Sequence, residues 1–138
     1  MKKEDKAKCY QEIYDYLNSL DAAGGVNHSE NDDVLTLTTD IGMIRIDIML
    51  YVKNDLLVLK SITPCGGKNV ADIMDFGRRI TADEPGISAV AYDEKLIITA
   101  NYPFNQVKDS QQAKDGILNK CRGFMDFLIS HSKEISDD

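Results

Sequence analysis

From Met43 to Val52 the side chains alternate strictly, with Ile44, Ile46, Ile48, Leu50 and Val52 on one side and Arg45 and Asp47 on the other. A period of two places the first set on one face of a β-strand. Just upstream, Leu35 and Leu37 alternate with Thr36 and Thr38, and "TDIGM" makes the turn between the two runs. "KND" at 53–55 closes a hairpin onto a third strand, "LLVLKSI". Leu56 to Leu59 are apolar on both faces, which places that strand centrally or with its second face partly covered. "ISAVAY", the tip "DEK" and "LIITANY" form a second hairpin.

The remaining apolar residues recur at helical spacing. Tyr10, Ile13, Leu17 and Leu20 predict a helix over about 4–20, followed by "DAAGGVNHSENDD" as a loop. Val70, Ile73, Met74 and Ile80 predict a short helix over 70–80, capped by Asn69 with Asp72 in its first turn. "DEPGI" offers Pro85 and Gly86 to a type II turn. Asp109 with Gln112 opens a long helix to about Ser132. Ile117, Cys121, Phe124, Leu128 and His131 form one of its stripes, and Leu118, Met125 and Ile129 form a second. So broad a face covers a sheet and leaves width for a partner. "SKEISDD" reads as a frayed acidic tail. The order is α-βββ-α-ββ-α in a single α+β domain spanning 1–138, with an ordered core at about 4–132.

Composition narrows the partners. A length of 138 residues hides enough surface to fold without metal or disulfide. The net charge of −7 repels phosphate backbones, so neither nucleic acid nor an anionic membrane is an expected partner. Lys2, Lys3, Lys6 and Lys8 are interleaved with Glu4 and Asp5 and read as a solvated helix start. "MKKEDKAKCYQEIYDY" has no apolar core of a signal peptide, and no run reaches transmembrane length. Three widely spaced cysteines, Cys9, Cys65 and Cys121, fit free thiols in a reducing cytoplasm.

Candidate chemistry centres on "SITPCGGKN" at 61–69. A P-loop with Gly67-Lys68 as its GK pair needs a glycine where Ile62 stands and a hydroxyl where Asn69 stands. A phosphatase-type cysteine loop needs an arginine where Ala71 stands. What survives is Cys65 ahead of a helix N-terminus and three residues from Lys68, both of which lower a thiol pKa. Cys65, Gly66, Gly67 and Lys68 are therefore the candidate anion or thiol site, set against a plain strand-to-helix turn. "NHSENDD" carries oxygen ligands at Asn27, Ser29, Asn31 and Asp33, but Asp32 and Thr38 occupy the glycine and closing-carboxylate positions of a calcium loop. His28 and His131 share no zinc-ligand spacing, so no metal or cofactor is expected. Tyr10, Tyr14 and Tyr16 are core and rim residues before they are ligand contacts.

In element order, size and acidity the chain, over about 4–132, resembles the class I type III secretion chaperones and the related bacterial sensory-transduction-regulator domains. The resemblance implies a twisted antiparallel sheet with the N- and C-terminal helices packed on one face. It also implies a homodimer joined around residues 69–80 and 87–92, with Val70, Ile73, Met74 and Val90 as its apolar contacts. Chaperone members bind extended segments of partner proteins on hydrophobic patches. The expectation is a non-enzymatic, dimeric protein-binding module. The alternative is a sensor of a small ligand or anion, or a minor enzyme, at the junction 64–69.

Overall fold

The computed structural model describes residues 1–136. Helix α1 (Lys3–Asn18) leads into strands β1 (Asn27–Glu30), β2 (Val34–Ile41), β3 (Ile44–Tyr51) and β4 (Leu56–Pro64). Helix α2 (Val70–Thr81), the hairpin β5 (Ile87–Tyr92) and β6 (Lys95–Pro103), and helices α3 (Ser110–Ser130) and α4 (Ser132–Ser136) follow. The six strands form one twisted, fully antiparallel sheet in the order β1-β2-β3-β4-β6-β5. The third of the three expected strands, β4, sits between β3 and β6, as its two-sided apolarity predicts.

The local signals act where they were read. Asn69 accepts the backbone N–H of Asp72 at 2.9 Å, and Asp109 that of Gln112 at 3.0 Å, so both helix starts are capped. Gly86 has φ of 88°, as the third residue of a type II turn requires. Asp93 and Glu94 both take positive φ in the two-residue turn between β5 and β6.

Two segments differ from expectation. "NHSE" is strand β1 rather than loop, pairing Asn27 with Thr38 and Glu30 with Leu35. It shows no apolar alternation because it is an exposed edge, held by the ladder and by His28 set edge-on to Tyr14 at 5.8 Å. The turn is confined to Asn31–Asp33, where the side-chain Oδ1 of Asn31 accepts the N–H groups of Asp33 and Val34. "SKEIS" is helix α4 rather than frayed tail, anchored by Ile135, which is buried in the core. Asp137 and Asp138 of the expected tail lie outside the described residues.

All the helices lie on one face of the sheet. That face carries Leu37, Ile44, Ile46, Ile48, Leu50, Leu57, Leu59, Leu96 and Ile98, and every fully buried strand residue belongs to it. Helix α1 meets it through Tyr14 on His28, and α3 through Gly116, which packs against the ring of Tyr102. Helix α2 packs over β5 and β6 at Gly77, where an added Cβ would come within 2.8 Å of the Ala89 Cβ. The approach is close enough that only glycine fits.

The N-terminus is clamped on the same face. Lys6, only 3% exposed, donates from Nζ to the Val52 carbonyl at 2.7 Å and pairs with Asp55 Oδ1 at 2.9 Å. The Met1 ammonium lies 3.6 Å from the same carboxylate. The hydrogen bond from Lys6 holds the Asp55 carboxyl below its usual range. Lys6 is thus a structural clip rather than part of a solvated helix start, because its stem packs inward while its charge reaches the β3–β4 turn.

Candidate functional site

At the junction 64–69 the chemistry-bearing groups diverge. Pro64 ends β4 opposite Lys95, and Cys65 turns into the core with its N–H donating to the Glu94 carbonyl at 2.7 Å. The thiol is buried in line with Ser61 and Thr63 and donates to the Thr63 carbonyl at 3.7 Å. Gly66 and Gly67 are exposed, and Gly67 takes φ of 89°, the architectural role a tight strand-to-helix turn needs. Lys68 points elsewhere, with Nζ 5.1 Å from the ring centre of Phe76.

Lys68 does line a recess, of about 480 Å³, together with Asp72, Asp75, Phe76 and Arg79. Arg79 stands over the same ring at 5.2 Å, so Phe76 lies between two cations. Two carboxylates line the recess with them, so its charge is balanced, and Cys65 is not among its walls. The four junction residues therefore do not converge on one ligand.

The other thiols are disarmed by burial. Cys9 sits where α1 meets α3, and desolvation, with Glu12 nearby, pushes its pKa up to about 12. Burial also pushes the Cys121 thiol up, and the nearby Cys9 adds to the shift. Neither is a thiolate near neutral pH. His28 and His131 are packing residues, His131 with its ring 4.7 Å from Phe127. Among the described residues no group of three His, Cys, Asp or Glu side chains is placed to hold a metal ion, and no helix is long and apolar enough to cross a membrane.

The four residues expected at a dimer contact do not share one surface. Ile73 is fully buried in the protomer, because it is the inward residue of α2 over the sheet. Met74 is half-buried, its sulfur taking the Ala91 N–H at 3.0 Å along the edge of β5. Val70 is exposed at the start of α2, whereas Val90 looks out from the opposite face of the sheet. The expected contact around α2 loses its centre.

Two surfaces that motif reading did not single out carry more. The first is the β5 edge. β5 is the six-residue strand "ISAVAY", with no charge and no proline, and Val90 is 52% exposed and Tyr92 69%. Edge strands are ordinarily guarded by charge, proline or shortness. The second is the sheet face without helices. Met49 and Val58 stand side by side there, and Ile62, Ile97 and Val90 form another row. The polar row Thr38, Asp47, Lys60, Thr99 and Ser88 runs between the two. By contrast the broad stripe of α3 is spent on the core, with Ile117, Cys121, Phe124, Met125 and Leu128 all buried.

These features define a class, an α+β protein with every helix on one face of an open antiparallel sheet. No family model matches the chain, and no curated protein or solved structure shows significant similarity to it.

Proposed function

We propose that the chain is a non-enzymatic protein-binding module of the secretion-chaperone-like kind, which works as a homodimer in a reducing cytoplasm and takes an extended partner segment along β5. The observation that carries this reading is the β5 edge, which bears no charge or proline and is met by the Met74 sulfur at Ala91. An exposed strand edge offers main-chain groups to an incoming strand, while alternate side chains supply selectivity. Here Ala91 already donates to Met74, but a thioether is a weak acceptor that a partner carbonyl replaces with gain. The polar β1 at the opposite edge has no comparable apolar side chains. The resemblance in element order and acidity points the same way.

The test is site-specific photocrosslinking in the native cell, with the probe placed at Tyr92 and, as control, at Asn27 on the opposite edge. The expected result is an adduct to a defined protein from Tyr92 only, lost on Val90→Lys. Equal labelling from both edges, or none, overturns the reading.

A further inference from the structure

We infer that the helix-free face of the sheet is the dimer contact, packed face to face against the same face of a second copy. This rests on the homodimeric reading above and moves the contact away from α2 and β5.

Size is the first argument. β2, β3, β4 and β6, the four strands centred on the gap between β3 and β4, are spaced by about 4.8 Å and are roughly 26 Å long, giving a footprint of about 500 Å² in projection. Side-chain relief raises this towards the ~800 Å² per partner of a standard specific interface. The face sets apolar positions, Met49 beside Val58 and Ile62 beside Ile97, among polar and charged ones.

Charge selects the occupant. The strand residues of this face bear Arg45, Lys60 and Lys95 against Asp40 and Asp47, three cations to two carboxylates, whereas the whole chain carries −7. Two copies of so acidic a chain repel each other least through this face. Lys60 also meets no carboxylate within ion-pair distance among the described residues. Asp47, opposite it on β3, accepts the Thr38 hydroxyl at 2.9 Å and pairs with Arg45 at 3.4 Å.

A two-fold axis running between β3 and β4 satisfies both groups. It sets Asp47 of each copy over Lys60 of the other, and Met49 over Val58. The contact is isologous, as a two-fold requires, and the two sheets align as stacked sheets do. The β5 edge is left free for a partner strand.

The test uses two charge reversals, Lys60→Glu and Asp47→Lys, with mass read by sedimentation. The wild-type chain is expected to be a dimer. Each variant alone is expected to dissociate at least about tenfold more readily, because like charges then face each other twice. Mixing the two variants restores both attractions and is expected to give a 1:1 heterodimer. Should a variant fold poorly, zero-length crosslinking of mixed 14N and 15N wild-type chains gives the same answer, with an interchain Asp47–Lys60 product expected. A monomeric wild type overturns this interface together with the homodimer of the proposed function. A dimer unaffected by either reversal, a mixture of folded variants that stays monomeric, or interchain products confined to 70–81 and 87–92 overturns the interface alone and leaves the binding module standing.

Discussion

Along β4, Leu57, Leu59, Ser61 and Thr63 are wholly buried while Leu56, Val58, Lys60 and Ile62 are half-covered. The two sets belong to one strand and differ only in which face they look from. The first lies beneath the helices and takes part in the core. The second faces no helix, yet three of its four residues are aliphatic, against two of four in the first. A sheet face destined only for water alternates more cleanly. The apolar content of β4 thus serves two surfaces, one that folds the protomer and one that forms the proposed dimer contact.

Substitutions on either side of the strand test whether the two faces differ as described. Leu59→Ala, under the helices, is expected to cost about 2–5 kcal/mol in urea unfolding. Val58→Ala next door, on the open face, is expected to cost under about 1 kcal/mol under conditions where the chain is monomeric. Equal losses would erase the distinction between the faces. Gly77→Ala forces a Cβ onto Ala89 and should cost about 1–3 kcal/mol by the same measurement. Lys6→Met removes the clip between α1 and the β3–β4 turn and should cost about 1–3 kcal/mol, since the Val52 carbonyl loses its donor and the Asp55 carboxylate keeps the Met1 ammonium but not Lys6.

The Asp55 carboxyl also sets a pH dependence. Its folded pKa lies below its unfolded value. The stability it supplies is therefore fully present above the unfolded value and is lost as the pH falls below about 4 towards the folded value. Asp55→Asn should flatten the stability profile in that acid range, and an unchanged slope would remove the clip from the account. The smallest effect concerns the thiols. Cys9 and Cys121 should alkylate in the native protein only as fast as it opens, and rapid labelling at neutral pH would contradict their burial.

Much of the fold is legible because local chemistry and tertiary position agree. The alternation of Ile44, Ile46 and Ile48, the caps at Asn69 and Asp109, and Gly86 in its turn are readable one residue at a time. What escapes is whatever depends on distant neighbours. β1 is polar and becomes a strand only because β2 offers it an edge. Helix α4 has one apolar residue, Ile135, and holds through its burial. Lys6 reads as one surface lysine of four until Asp55, distant in sequence, is folded against it. Cys65 has the right neighbours in sequence for a reactive thiol, but depth in the core is not written in its flanking residues. The β5 edge is hidden for a similar reason. "ISAVAY" announces a strand, while its place at the margin of the sheet follows from the crossover that sets β6 against β4.

Photocrosslinking from Tyr92, with Asn27 as control, is the sharpest test of the proposal that β5 takes a partner strand. One defined partner is expected from Tyr92 and none from Asn27, with loss of the adduct on Val90→Lys while the fold is retained. Capture of the same proteins from both edges, or an adduct indifferent to Val90→Lys, would contradict it.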